Sequence, residues 1–506
     1  MATAPIVEAL SLPQPELFFG LVAPTGIDLE AFQNLACDLL QQYSYSTKVA
    51  RLSDLARRAA VTTVDDSSHF SRVTTLQNAG NELRRNTQRG DVLALHAIFQ
   101  ISNAREVIAK DAGAHRQPLP GVAHVFRSLK HPEEVETLRR VYGAGFFLIG
   151  VYASEEDRYR YLRRRLGMSA EDARLVLQRD EDEPKDPFGQ HTRDTFRMAD
   201  VFVREGDEEQ LVRFFDLVFG APFVTPTLDE YAMFFAFASA LRSAQYGRQV
   251  GAVVVSREGE IIGVGANDVP KFGGGLYWPG PKEKDRRDHN YYPDGADSNE
   301  KEIARIIDDA IERLAPFLQT QVDRDAIHEA LAGSRLDDLT EFGRAVHAEM
   351  EALLACARTG VSVKGGTVYT TTFPCHNCAR HIVASGIAEL QYVEPYPKSR
   401  ALRLHNDSIA LDQHSYESRV RFRPFLGVSA RRYFDLFSMK LSGGVPLIRK
   451  KHGRAVEWTR ETANPRVRLS HWSYIQREVE AAGQLAGTIT ASRRHNPDPG
   501  SEEHRK

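Results

Sequence analysis

Two short stretches hold the side chains best suited to chemistry: His347-Ala348-Glu349, and Pro374-Cys375-His376-Asn377-Cys378. One histidine and two cysteines are a donor set for zinc. Cysteines three apart on a first helical turn share a face, so both sulfurs can reach one ion. Three protein ligands leave the fourth tetrahedral position to water, as in a catalytic rather than a structural site. Bound zinc brings the pKa of water from about 16 toward about 7. Two thiolates blunt that effect, and Glu349, not needed as a ligand, is expected to supply the missing basicity as a general acid/base. A structural zinc knuckle or a redox dithiol is the competing reading. The knuckle needs a fourth ligand such as His376 or His381, and His376 sits awkwardly inside the cysteine pair.

The surrounding pattern must position these groups. Pro222–Thr227 reads as a linker, and Thr227 with Glu230 forms a capping-box start. A helix is expected over Tyr231–Arg242, then strands over Gly247–Val255 and Ile261–Asn267 with a tight turn at Arg257–Glu260. After an insertion come a helix over Arg344–Arg358, a strand over Thr367–Thr372, a helix over Cys375–Ser385 and a strand over Ile387–Val393. His347 and Glu349 then fall in one first turn, and the cysteines follow the next strand. Two helix N-termini converging on the ion favour thiolates.

H-x-E followed by P-C-x-x-C in this order is the signature of zinc-dependent nucleobase deaminases. The layout resembles the cytidine-deaminase-like α/β/α sandwich. Arg248–Val255, Gly263–Asn267 and the zinc motif resemble the dCMP-type deaminases in particular. That resemblance implies attack of activated water at C4 of a cytosine, with Glu349 moving protons to N3 and to the departing ammonia. It also makes Asn267 a candidate for the deoxyribose hydroxyl and Arg248 a substrate-binding candidate. The insertion over residues 268–342 departs from the family. Its Gly-rich loop, its aromatics and Lys282, Lys284, Arg286, Arg287 and His289 either close over a nucleotide phosphate tail or make an oligomer contact. Beyond the last strand, Tyr396 is a candidate for stacking on the base, and Lys398 and Ser399 for the phosphate.

The first third reads as apolar strands alternating with amphipathic helices, which implies a mainly parallel, doubly wound sheet. A strand over Pro15–Leu21 leads into a loop from Gly20 to Gly26 and a helix, the layout of a phosphate-binding loop. The loop is one residue longer than G-x-x-x-x-G-K-[ST], and Ile27-Asp28 stand where Lys and Ser/Thr would be. With the arginines at 160 and 163–165 and the strand Ala199–Val203, this half resembles P-loop nucleotide kinases. The missing lysine argues against phosphoryl transfer. The expectation is a degenerate kinase-like domain that binds a regulatory nucleotide at Gly20 and Gly26, or only senses or assembles; a purely structural strand-to-helix turn is the alternative.

The chain has 506 residues, a formal net charge of −3 and four cysteines. That charge excludes a bulk nucleic-acid binder of the strongly basic kind. The cysteine count excludes a disulfide framework, and Cys37 and Cys356 read as buried thiols. Neither a spanning apolar run nor a secretory start is found, so no membrane association and a cytoplasmic location are expected. The expected divisions are an N-terminal arm (1–14), a kinase-like domain (15–221), a deaminase domain (222–440) and a C-terminal extension (441–506) whose last 20 or so residues are disordered.

Taken whole, the chain resembles bacterial anti-phage dCTP deaminases, through Phe188-Gly189-Gln190, Arg193–Phe196, Ala199–Phe202 and Glu394–Ser399. The resemblance implies deamination of dCTP and dCMP during infection, starving phage DNA synthesis. It also implies restraint through the N-terminal half, a small inhibitory RNA in some relatives, and a homo-oligomer. Two other readings stand beside it: a cytosine deaminase acting on RNA or single-stranded DNA, and a nucleotide-regulated assembly protein without activity. The near-neutral charge disfavours the former, and Glu349 the latter.

Overall fold

In the computed structural model, the described residues are 14–59, 63–111, 113, 115–181, 186–317, 323–332, 334, 336, 339, 341–396, 398–411, 418–467 and 471–495. The chain forms two compact units, one of residues 1–226 and 426–506, the other of residues 227–425.

The first unit is built on β1 (Leu17–Val22), whose six residues are all buried. Such an unbroken apolar run suits a central parallel strand covered on both faces. β1 pairs in parallel with β3 (Val122–Arg127) and with β4 (Phe146–Tyr152), and β4 with β5 (Val201–Arg204). β2 (Ser46–Arg51) forms the outer edge beyond β3. Helix α1 (Leu29–Gln42) follows β1, with Asp28 as its N-cap accepting from Ala31 N. Val92–Asp111 forms one long helix, α2, and α3 (Pro132–Tyr142) leads toward β4. Phe18 stacks on Tyr142 with ring centroids 3.6 Å apart. At the other edge of the sheet, β12 (Gly427–Val428) pairs antiparallel with β5.

The division expected at 440 is corrected by this last pairing: residues 426–440 leave the second unit, because β12 completes the first unit's sheet. The chain's last helix (His471–His495) also belongs to the first unit. It is held by a buried polar cluster. Arg105 of α2 pairs with Glu478 at 2.8 Å and with Glu16 at 2.8 Å, while Tyr474 donates to Glu16 at 2.7 Å. Disorder was expected from about Gly487, yet residues 487–495 are helical. The rest of that tail and the arm up to residue 13 lie outside the described residues.

The second unit has a mixed sheet in the order β10-β11-β9-β8-β6-β7. β6 (Gly251–Val255) and β7 (Ile261–Ala266) form a hairpin, and β8 (Thr367–Thr372) runs antiparallel to β6. β9 (Glu389–Glu394), β11 (Val420–Pro424) and β10 (Ile409–Leu411) extend the sheet in parallel. Three helices flank it: Leu228–Ala240, Ala348–Thr359 and His376–Ala384. The second of these lies directly on β7 because Gly263 and Gly265 carry no side chain there. A Cβ on Gly265 would meet Ala348 O at 2.1 Å, and one on Gly263 would meet Ala352 O at 2.6 Å.

Within the insertion, Ile303, Ile307 and Ile311 of the helix Ser298–Leu314 pack against Ile327 and Leu331 in a small core of their own. Its ends return to the sheet. Val346 N donates to Asp268 O at 3.1 Å, and Arg344 pairs with Asp288 at 2.9 Å.

Candidate active site and metal centre

His347 and Cys375 are the N-cap residues of the helices Ala348–Thr359 and His376–Ala384, one step earlier than the first-turn positions read from the sequence. Both helix N-termini therefore point at one place. Their partial positive charge favours anionic sulfur there. Cys375 Sγ also accepts from Cys378 N at 3.4 Å, so the cap itself fixes the sulfur.

His347 Nδ1 lies 3.3 Å from Cys375 Sγ and 3.3 Å from Cys378 Sγ. The three ligand atoms fall within 4.8 Å of one another. Tetrahedral zinc with bonds of about 2.0–2.3 Å sets neighbouring ligands about 3.5 Å apart, so the donor set fits the ion in type and spacing. Among the described residues, this is the group of histidine, cysteine and carboxylate side chains that could hold a metal. Hydrogen bonding from Cys378, and then from His347, holds the Cys375 thiol well below its usual range. The hydrogen bond to Cys375 pushes His347 up to about 9. The neighbouring thiol and the imidazole thus favour the thiolate form at Cys375, the form that binds metal, while Cys375 and burial push the Cys378 thiol the other way.

Glu349 is buried, and burial raises the pKa of its carboxyl. It lines a cavity of about 370 Å³ together with His347 and Cys375. Phe373 and Tyr396 supply aromatic wall; Phe373 is set by edge contacts with Tyr392 at 4.9 Å and Phe422 at 5.6 Å. Gly247, Arg248, Val250, Asn267 and Thr372 also line the cavity. A zinc set, a buried acid that is not one of the three ligands, and an aromatic-walled cavity can together hydrolyse a flat heterocycle.

The structure brings some expected substrate contacts to this cavity and not others. Arg248, Asn267 and Tyr396 line it. Lys398 is exposed and is not among the lining residues. Ser399 donates its hydroxyl to Pro374 O at 2.8 Å, which ties the loop to the cysteine turn. Of the insertion's basic residues, Arg287 is buried against Asp285 at 2.6 Å. Gly247, Val250, Thr372 and Phe373 join the site without a motif of their own; only Thr372-Phe373 carry a sequence signal, since they lead directly into Pro374-Cys375.

The loop of the first unit differs from its expected form. Gly20 is a strand residue inside β1, opposite Phe126 and Leu148. Gly26 does take a left-handed conformation, φ 96°, close against the Arg158 backbone. One N–H group of the loop and one just after it are engaged by the chain's own carboxylates. Thr25 N donates to Asp180 at 2.7 Å and Asp28 N to Glu205 at 2.7 Å. Lys130 donates at 2.7 Å to both Ala23 O and Asp180, a cation supplied from the end of β3 rather than from the loop.

Residues 226–394, about a third of the chain, match the family model described as the cytidine and deoxycytidylate deaminase zinc-binding region. The deoxycytidylate deaminase of Enterobacteria phage T2 is 47% identical over 55 residues, 11% of this chain and 29% of that protein. The deoxycytidylate deaminase of Mus musculus is 28% identical over 164 residues, 32% of this chain and 63% of that protein. The chain thus spans less than two thirds of the length of either relative. A crystal structure of dCMP deaminase from the cyanophage S-TIM5 with dCMP and dUMP is 18% identical, covering 40% of this chain and 98% of that one, at a TM-score of 0.23. At that score the likeness carries no argument.

Proposed function

We propose that the protein is a zinc-dependent hydrolase that deaminates deoxycytidine nucleotides, dCMP to dUMP and dCTP to dUTP, with release of ammonia. The observation that carries this reading is Glu349: a buried carboxyl in the same cavity as His347 and Cys375, and not one of the three ligands. When bound, zinc supplies a Lewis acid that makes water a nucleophile near neutral pH. Hydrolysis adds that water at C4 of the cytosine and expels the exocyclic amine. Glu349 accepts one proton of the water and delivers it to N3, then takes the second from the hydroxyl at C4 and passes it to the exocyclic amine, which leaves as ammonia as the C4 carbonyl forms. Its raised pKa suits a group that must both hold and release a proton. Phe373 and Tyr396 flank the ring, and Arg248 at the rim meets the phosphate. The relatives named above, called deoxycytidylate deaminases, support the substrate class.

Depletion of the deoxycytidine nucleotide pool as a defence against phage is the proposed biological role. Its support is the resemblance noted over Phe188–Gln190, Arg193–Phe196, Ala199–Phe202 and Glu394–Ser399. The test of the activity is incubation of the zinc-loaded protein with dCMP, dCTP, CTP and cytosine-containing single-stranded DNA, reading ammonia and uracil products. Turnover of the deoxynucleotides is expected. Turnover of the strand alone overturns the substrate class. The role is tested by phage plating on cells carrying the wild-type chain or Glu349→Gln: protection by both contradicts it.

A further inference from the structure

The wall of the cavity formed by Gly247, Arg248 and Val250 lies just before β6 begins at Gly251. It therefore depends on other groups to hold it. Asn267 does much of this. Its Oδ1 accepts from Val250 N at 2.7 Å, and its Nδ2 donates to Arg248 O at 2.7 Å. Its backbone N donates to Val250 O at 3.1 Å, and its carbonyl accepts from Ser243 Oγ at 2.6 Å. An amide offers one acceptor and one donor side by side, which is what a peptide N–H and a nearby carbonyl require. The guanidinium of Arg248 in turn lies 3.6 Å from Glu394 at the end of β9, with its side chain still half exposed. The backbone that carries Arg248 is thus held by Asn267, which sets where this cation leaves the cavity rim.

We propose that Asn267 is a positioning residue that sets the place of Arg248, so that Arg248 reads the phosphate of the nucleotide; this rests on the deaminase reading above. A direct bond from Asn267 to the sugar, which the family resemblance implies, is a different role. It leaves a different kinetic trace, because two independent substrate contacts lose affinity additively, whereas a support and the residue it supports do not.

The experiment is a double-mutant cycle on the full-length, zinc-loaded protein with dCMP: wild type, Asn267→Ala, Arg248→Ala and the double variant. Each single change is expected to raise KM about tenfold with kcat held within about threefold, as for lost uniform binding. The double variant is expected to be no worse than Arg248→Ala by more than about twofold. Losses that multiply to about a hundredfold, or a fall in kcat at constant KM, overturn the proposal. If Asn267→Ala does not fold, Asn267→Asp serves in the same cycle, because it keeps the acceptor for Val250 N and loses the donor to Arg248 O. Wild-type turnover of dCMP is measured first. Its absence would count against the activity itself, whereas additive losses in an active enzyme would count against the positioning role alone.

Discussion

Replacing Gly265 with alanine should disable the site without touching any group in it. The added methyl would meet Ala348 O at 2.1 Å, Ala352 N at 2.4 Å and Ala352 Cα at 3.1 Å. These atoms are helix backbone and cannot rotate aside, so overpacking must be relieved by moving the helix or bending β7. An ordinary contact of about 3.4 Å requires the helix to retreat by about 1.3 Å at Ala348. That residue sits between His347 and Glu349. Zinc bonds tolerate about 0.2 Å, and a misplacement of about 1 Å at a reacting centre can cost about a hundredfold in rate. The expected result is a fall in kcat of at least about a hundredfold on dCMP, weaker retention of zinc, and a loss of about 1–3 kcal/mol in stability. The assays are dUMP formation, zinc per chain by elemental analysis, and thermal melting. Gly443→Ala, where the same methyl meets nothing within 4 Å, is the control and should change none of them. Wild-type turnover and zinc content in Gly265→Ala would refute the claim that the approach of this helix to β7 sets the site.

Three further outcomes follow from other parts of the chain. Cys378→Ser should lose zinc and all turnover, because the remaining ligands are too few for a tight site; equal zinc per chain in variant and wild type would contradict the ligand assignment. Asp180→Ala should destabilise the first unit by about 1–3 kcal/mol, since it removes a buried carboxylate that accepts from Thr25 N and pairs with Lys130, which keeps Ala23 O; an unchanged denaturation midpoint would show that the carboxylate does not brace the loop. Glu478 is raised to about 7 by burial against the opposing pull of Arg105. Its folded value lies above the unfolded one, so its contribution is full below about pH 4 and is lost as pH rises through about 7. Glu478→Gln should flatten the fall in melting temperature of the first unit between pH 5 and pH 8, and a slope identical to wild type would exclude Glu478 as its source.

The sequence made legible whatever is written in neighbouring residues. The apolar runs at 17–22, 146–152 and 251–255 stand as strands because each is bounded by turn residues and long enough to be buried on both faces. His347, Glu349, Cys375 and Cys378 could be paired from residue type and order alone. Edges were harder to read. β2 is Ser-Thr-Lys-Val-Ala-Arg with no buried residue, so it carries no apolar alternation. Partners distant in the chain were not legible. Nothing around Gly427 announces that it pairs with Phe202 rather than extending the second unit. Nothing around Asn267 says that its amide bonds the backbone of Arg248 and Val250. The Gly20–Gly26 spacing resembled a loop because a buried glycine in a strand and a left-handed glycine in a turn are the same letter.

The central claim is that Glu349 moves the protons of a zinc-dependent deamination. Its most direct test is ammonia release from dCMP by the wild type and by Glu349→Gln, compared at equal zinc per chain. The glutamine keeps the size and polarity of the side chain and removes the proton it exchanges. The expected result is ammonia in step with dUMP for the wild type, and a rate lower by about 10²–10⁴-fold in the variant with zinc retained. A variant that deaminates at the wild-type rate would contradict the account.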